Sequence, residues 1–148
     1  MSLTSRIKEN LRKAIKEEAS LKVSVLRMLS AALHNAEIAS RGELSEEEEI
    51  EVISKEAKKR KESIEAYREG GREDLASKEE KELEIIEGYL PTQLSEQEIR
   101  DIIRKSIEDL GAVDSADLGK VMGAVMPKVK GRAEGSKVRE LVVDILEG

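Results

Sequence analysis

Apolar residues recur every three or four positions along most of the chain, which is the spacing that one face of an α-helix requires. This pattern predicts four helices before the first proline. They run from Leu3 to Ile15, from Ser20 to Gly42, from Ser45 to Gly70 and from about Asp74 to Tyr89. The second helix has the widest apolar stripe, so we expect it at the centre of the core.

The helical pattern breaks at Pro91, which biases Leu90 away from helical geometry and cannot donate a backbone hydrogen bond. Three further helices are predicted after it, with apolar positions from Ile99 to Leu110, Leu118 to Met126 and Val138 to Leu146. We therefore predict an all-α fold in two parts. A four-helix N-terminal domain, residues 1–92, is joined at a proline hinge to a small three-helix C-terminal domain, residues 93–148.

Two of the predicted helix starts have a serine followed three residues later by a glutamate. Ser45 with Glu48, and Ser95 with Glu98, match the capping box, in which each side chain bonds to the other residue's backbone N–H. The third helix also has an irregular feature, because Arg60 falls on its apolar stripe. Since the repeat is short, we interpret this helix as part of an ordinary bundle rather than a coiled coil.

Composition narrows the fold class and the location. Tyr67 and Tyr89 are the only residues of the Phe, Trp or Tyr type, so the core must be aliphatic, which suits helices packed on helices. Cysteine is absent, which fits a reducing compartment. The chain also has no signal-peptide-like start and no run of about 20 apolar residues. These features predict a cytoplasmic protein that does not cross a membrane.

Residue types that carry catalysis are scarce. There is no cysteine nucleophile, no nucleophile elbow and no phosphate-binding glycine loop, and His34 is the only histidine. One histidine without cysteine also argues against a zinc site. We therefore predict no catalytic residues, no metal and no cofactor, and binding becomes the expected class of function.

A glycine-interrupted basic segment stands out near the carboxy terminus. The chain has a net charge of −6, yet six basic residues lie between Lys120 and Arg139 against the single acidic residue Glu134. Gly119 and Gly123, four residues apart, suggest a close approach of another backbone. The start of the last helix is predicted to form a phosphate-binding corner with the surrounding cations. These cations are Lys128, Lys130, Arg132 and Lys137. The alternative is that the glycines permit helix packing and the lysines solubilise a loop.

Several segments resemble the YqeY family, which is similar to the tail domain of the GatB subunit of the aspartyl/glutamyl-tRNA amidotransferase. The resemblance covers nearly the whole chain. It rests on Val25-Leu-Arg-Met-Leu29 with Ala36-Glu-Ile38, Arg68-Glu-Gly-Gly-Arg-Glu-Asp-Leu75 with Glu79 and Glu82, Tyr89-Leu-Pro-Thr-Gln-Leu-Ser95, Met122-Gly-Ala-Val-Met126 and Lys130-Gly-Arg-Ala-Glu-Gly135.

The resemblance implies a helical N-terminal part joined to a three-helix C-terminal part, and a tail that contacts tRNA. It also implies a link to carbon–nitrogen ligase activity with glutamine as amido donor, without an active site in this chain. A tRNA and an aminoacyl-tRNA synthetase or amidotransferase subunit are the implied partners. The residues expected to face RNA are Lys128, Lys130, Gly131, Arg132, Gly135 and Lys137.

Two other readings of the sequence remain. The chain is alternatively a helical protein–protein interaction adaptor with no RNA role, whose contact surface is formed by Gly119, Gly123 and the pair Met122 and Met126. A weaker reading takes the basic first helix as a membrane-surface element. That helix lacks the Trp or Phe expected at a membrane interface, and its apolar stripe is narrow.

Overall fold

The computed structural model describes residues 2–148, which form seven α-helices and one 3₁₀ helix without any β-strand. The helices are α1 (Leu3–Lys16), α2 (Ser20–Ser40), α3 (Glu46–Glu69), α4 (Glu73–Glu87), α5 (Glu96–Leu110), α6 (Leu118–Val129) and α7 (Gly135–Glu147), and the 3₁₀ helix (Ser115–Asp117) precedes α6. The predicted all-α class is confirmed. The chain divides into two compact units, an N-terminal unit that ends at Pro91 and a C-terminal unit from Thr92 to Gly148. The proline hinge and the predicted domain limits stay predictions.

The N-terminal unit is built around α2. Helix α1 packs on α2, α3 packs on α4, and α2 contacts all three of the others. Leu26, Leu29 and Leu33 of α2 are buried, together with Ile53 of α3 and Ile86 of α4. Because burying a Leu or Ile side chain contributes roughly 1.5–3 kcal/mol, these residues supply much of the unit's stability. The wide apolar stripe of α2 correctly predicts its central position.

Both predicted capping boxes are present. The Ser45 hydroxyl accepts a hydrogen bond from the Glu48 N–H at 3.2 Å, and the Glu48 carboxylate accepts one from the Ser45 N–H at 3.0 Å. Ser95 and Glu98 form the same pair at the start of α5, with both distances at 3.1 Å. The two boxes satisfy backbone donors that a helix start otherwise leaves without partners.

The end of α2 differs from the prediction. The sequence places the helix end at Gly42, as expected for a glycine in the left-handed conformation. In the structure α2 ends at Ser40, and the left-handed residue is Arg41, with φ of 60°. The N–H groups of Arg41 and Gly42 still bond to the carbonyls of Ile38 and Glu37, so the last turn is closed without a left-handed glycine.

The C-terminal unit packs α6 against both α5 and α7. Its buried apolar residues are Ile99, Ile103, Val121, Val125, Val129, Val138, Leu141 and Val142. The three valines of α6 are four residues apart and line one face, so the opposite face of this helix is turned to solvent. Pro127 lies within the last turns of α6 and removes the N–H that would bond to the carbonyl of Gly123.

Candidate nucleic-acid interface

The six residues predicted to face RNA lie in one continuous stretch of the C-terminal unit. The first, Lys128, is in the last turn of α6, and the last, Lys137, is in the first turn of α7. The other four lie between them. The predicted residues are therefore close neighbours in the α6–α7 region. Their contacts divide them into residues held within the unit and residues open to solvent.

Gly131 turns the chain at the end of α6. It has φ of +75°, the left-handed region that glycine adopts without a steric penalty. The N–H groups of Arg132 and Ala133 both donate to the carbonyl of Val129, at 2.8 and 3.1 Å. Gly131 therefore has a conformational role, which is sufficient to explain a glycine at this position.

Three hydrogen bonds join the α6–α7 loop to residues 92–94, and we call this set the loop clamp. The side-chain amide of Gln93 donates to the carbonyl of Gly131 at 3.0 Å. The N–H of Leu94 donates to the carbonyl of Arg132 at 2.9 Å. The Nε of Arg132 donates to the carbonyl of Thr92 at 3.2 Å. The clamp fixes the loop by contacts between residues about 40 positions apart in sequence.

Arg132 thus has a structural contact that the sequence does not predict. Its charge also acts on the start of α5. The backbone and hydroxyl hydrogen bonds from Ser95 lower the pKa of the Glu98 carboxyl, and the positive charge of Arg132 adds a smaller contribution in the same direction. Any contact between Arg132 and an external phosphate would compete with these interactions.

Lys128 is also held within the C-terminal unit. Its ammonium donates to the hydroxyl of Ser106 on α5 at 3.1 Å, and Ser106 is 1% exposed. This contact satisfies a buried hydroxyl and links α5 to α6. The Lys128 side chain thus crosses towards α5 while the residue as a whole stays exposed to solvent.

Lys130 and Lys137 are the two predicted cations that remain open. Both are exposed, and neither takes part in a salt bridge or side-chain hydrogen bond among residues 2–148. Lys130 follows the last residue of α6, and Lys137 is the third residue of α7. These two lysines are free to contact an anion without breaking a contact of the fold.

The first turn of α7 has no side-chain cap. Glu134 occupies the N-cap position, but its carboxylate accepts a hydrogen bond from the Ser136 hydroxyl at 3.2 Å rather than from a backbone N–H. Gly135 begins the helix, where the unpaired N–H groups and the helix dipole favour negative charge. The Glu134 carboxylate already places negative charge at this helix start, so a phosphate that binds there must overcome its repulsion.

The close approach predicted at Gly119 and Gly123 does not occur within the chain. Both residues are exposed on α6, and a Cβ built on either would meet no atom within 4 Å. The glycines therefore do not serve helix packing inside the C-terminal unit. Met122 and Met126 pack against the core of the C-terminal unit, so they are not an open pair beside the glycines.

An ionic cluster in the N-terminal unit was not predicted. The Arg60 guanidinium on α3 lies 3.2 Å from Glu79 and 3.3 Å from Glu82, both on α4, and also contacts the Met28 sulfur of α2. Glu82 is 8% exposed. Burial raises the pKa of the Glu82 carboxyl, while the charge of Arg60 partly offsets that rise. The position of Arg60 on the apolar stripe was the sequence signal for this cluster.

Glu49 is a second buried charge of the same unit. It is 3% exposed, and its Oε2 accepts hydrogen bonds from the N–H and hydroxyl of Thr4 at 2.7 and 2.6 Å. Thr4 lies in the first turn of α1, so a carboxylate from α3 caps a different helix. In the sequence, Glu49 lies four residues before Ile53, which is on the buried stripe of α3. This spacing is the sequence signal that Glu49 is buried.

Among residues 2–148, no group of three histidine, cysteine, aspartate or glutamate side chains is placed to hold a metal ion. In the same range, no helix has the length and apolar character that crossing a bilayer requires.

Comparison with protein families gives a direct match. The family described as Yqey-like protein matches residues 4–146, which is nearly the whole chain. This chain belongs to the YqeY family. The family membership suggested by the sequence motifs is therefore confirmed.

Three curated relatives of this chain carry the same name. Altered inheritance of mitochondria protein 41, mitochondrial, of Pyrenophora tritici-repentis is 30% identical over 93% of this chain and 79% of its own length. The proteins of that name from Vanderwaltozyma polyspora and Saccharomyces cerevisiae are 35% and 33% identical over 70% and 72% of this chain. The matched segment spans 58% and 59% of those two yeast proteins.

These names contradict the expected cytoplasmic location, because they place the relatives in mitochondria. The expectation rested on the absence of cysteine, of a signal-peptide-like start and of an apolar span, which report on disulfides, secretion and membrane crossing. None of these features distinguishes the cytoplasm from the inside of mitochondria, so the expectation was wrong.

Proposed function

We propose that this chain is a tRNA-binding module that works with an amidotransferase or aminoacyl-tRNA synthetase and has no active site of its own. The observation that carries the proposal is the exposure of Lys130 and Lys137, without intramolecular partners among the described residues, beside the uncapped start of α7. Lysines and helix N-termini both bind phosphate oxygens. Membership of the YqeY family and its resemblance to the GatB tail supply the choice of tRNA as ligand.

The six predicted residues have different parts in this proposal. Lys130 and Lys137 contact phosphate directly, and Gly135 contributes as the first residue of α7, where the helix dipole favours negative charge. Gly131 and the clamp hold the loop in shape. Lys128 and Arg132 add positive charge while keeping their contacts to Ser106 and Thr92.

The test is equilibrium binding of labelled unfractionated tRNA at several salt concentrations. Changing Lys130→Gln and Lys137→Gln together removes two cations that hold no contact of the fold. Since each phosphate contact contributes roughly 0.7–0.9 to the slope of log affinity against log salt, we expect the slope to become shallower by about 1.4–1.8. An unchanged slope would remove this surface from consideration.

The matched control removes two cations from α5, which lies in the same unit. Arg104 and Lys105 are exposed, and Arg104 makes only a 3.9 Å ion pair with Asp101. The double change Arg104→Gln and Lys105→Gln alters the net charge equally, so it should leave the slope unchanged. Variants of Lys128 or Arg132 are less informative, because they also break contacts that hold the unit together.

A protein-interaction adaptor is the second candidate, and the open face of α6 favours it. Gly119, Gly123 and Pro127 are all exposed there, so a partner helix would meet a smooth surface. Affinity purification after ribonuclease treatment separates the candidates. A protein partner retained at high salt, and lost on Gly123→Leu, would favour the adaptor.

A further inference from the structure

The first helix carries a concentration of positive charge that the α6–α7 loop does not explain. Residues 3–16 contain five basic side chains and one acidic side chain, Glu9, in a protein whose net charge is −6. The basic residues are Arg6, Lys8, Arg12, Lys13 and Lys16. Helix α1 is therefore a basic element within an acidic unit.

The packing of α1 turns these cations outward. Ile7 and Ala14 are 0% and 2% exposed, and Leu3 and Leu11 pack against the same core, so the apolar face is used inside the unit except for Ile15. All five basic residues are exposed. What the helix offers to a partner is therefore almost entirely charge.

Three of the cations form a straight row. Lys8, Arg12 and Lys16 follow one another at intervals of four residues, which places them on one side of the helix at steps of about 6 Å. A nucleic-acid strand carries one phosphate per nucleotide, so its negative charges recur at short intervals along the strand. A row of three cations can therefore face consecutive phosphates of one strand.

These three side chains are not neutralised within the fold. Among residues 2–148, none of them joins a salt bridge or a side-chain hydrogen bond, whereas Arg60 and Arg68 of the same unit each contact two carboxylates. Like charges four residues apart repel one another and destabilise the helix. An external polyanion would remove that repulsion.

We infer that the exposed face of α1 binds the phosphate backbone of RNA through Lys8, Arg12 and Lys16. This surface belongs to the N-terminal unit and shares no residue with the α6–α7 loop, so the inference goes beyond the proposed function. Arg6 and Lys13 border the row on its other side, where Arg6 lies 5.7 Å from the centre of the Tyr89 ring. They add positive potential next to the row.

RNA fits this face better than a membrane or a protein does. A membrane-surface helix inserts its apolar side between lipids, but the apolar side of α1 is buried in the unit's own core. A protein interface needs an apolar centre, and this face has one large exposed apolar side chain, Ile15, at its end. A regular row of unpaired cations matches a regular row of phosphates.

The test is binding of a labelled oligouridine to the full chain, measured by fluorescence anisotropy over a range of salt concentrations. The variant combines Lys8→Gln, Arg12→Gln and Lys16→Gln. Because each contact with a single strand contributes roughly 0.7 to the salt slope, losing three contacts should reduce the slope by about 2 and weaken binding at low salt. The control combines Lys55→Gln, Lys78→Gln and Lys81→Gln, exposed residues of α3 and α4. It makes the same charge change and should bind as the unchanged chain does.

Each outcome decides between the ligands. Equal affinity and slope for the α1 variant and the unchanged chain would overturn the inference, as would an equal loss in the control. Loss of binding to vesicles of anionic phospholipid, with oligouridine binding intact, would overturn it in favour of a membrane. If the α1 variant binds RNA normally while the Lys130 and Lys137 variant does not, the proposed function stands without this second surface.

Discussion

The two units treat polar groups in different ways. The described part of the N-terminal unit buries two carboxylates, Glu49 and Glu82, whereas the C-terminal unit buries a single hydroxyl, that of Ser106. In the first unit, charged side chains reach from one helix to another. In the second, the long-range polar contacts are mainly to backbone carbonyls, in the loop clamp. Similar amphipathic helices can thus be held together by charged side chains that contact a neighbouring helix, or by hydrogen bonds to backbone carbonyls.

The strongest test of this difference is removal of Glu49. We expect Glu49→Ala to lower the free energy of unfolding of the N-terminal unit by about 2–3 kcal/mol, because two hydrogen bonds to a buried carboxylate are lost and the Thr4 donors are left without partners. Tyrosine fluorescence during urea unfolding reports on this unit, since Tyr67 and Tyr89 both lie in it. A loss below about 0.5 kcal/mol would show that the buried carboxylate is not what fixes α1.

Two glycine substitutions form a matched pair that tests the stability of the C-terminal unit. Gly131 has φ of +75°, where a Cβ costs about 1–2 kcal/mol, so Gly131→Ala should lower the stability of the unit by that amount. Gly123 is helical with open space around it, so Gly123→Ala should instead raise stability by about 0.5–1 kcal/mol. Far-UV circular dichroism during thermal unfolding measures both changes. Shifts of the same sign would contradict the assigned role of Gly131.

The local features of both units follow from the sequence, and the long-range polar contacts do not. Apolar spacing and the serine–glutamate pairs predict α2 at the centre and both capping boxes, because each depends on residues within a few positions. The contact of Arg132 with Thr92 joins residues 40 positions apart, so no local pattern shows it. Glycine spacing gives Gly119 and Gly123 a common side of α6 but does not say that this side faces solvent.

Buried charge escapes prediction for a related reason. A search for apolar periodicity skips the buried Glu49, and it registers Arg60 only as an interruption of the stripe without its carboxylate partners on α4. The interface prediction was partial in the same way. Sequence identifies the cations of the α6–α7 loop, but only the contacts to Ser106 and Thr92 distinguish Lys128 and Arg132 from the open Lys130 and Lys137.

The capping boxes are the feature that the units share, so they should respond alike. Ser45→Ala and Ser95→Ala each remove one hydroxyl acceptor at a helix start, and each should lower the stability of its own unit by about 1 kcal/mol. Tyrosine fluorescence isolates the first effect, and circular dichroism records the second. Ser→Thr at each position is the control, because threonine keeps the hydroxyl. Losses that differ several-fold would mean that one box is supported by further contacts.

The smallest expected effect is on the pH dependence of stability, to which Glu48 and Glu98 contribute with one sign and Glu82 with the other. Hydrogen bonds from the Ser45 and Ser95 backbone and hydroxyl groups lower the pKa values of Glu48 and Glu98. Their stabilisation is therefore present above the unfolded pKa and is lost as the pH falls through the folded pKa. Glu82 behaves oppositely. Burial raises its pKa, so the penalty on its ionised form applies above the folded pKa and disappears as the pH falls towards the ordinary pKa of a glutamate.

Replacing Glu82 with glutamine tests this opposite sign directly. Glu82→Gln removes the titrating group while keeping its size, so it should not lower the stability of the N-terminal unit at neutral pH. It should also abolish the contribution to stability that Glu82 makes as the pH falls through its raised folded pKa towards the ordinary range of a glutamate. Urea unfolding followed by tyrosine fluorescence at several pH values measures this contribution. A loss of stability at neutral pH would show instead that the attraction of Arg60 for the ionised carboxylate exceeds the cost of burying it.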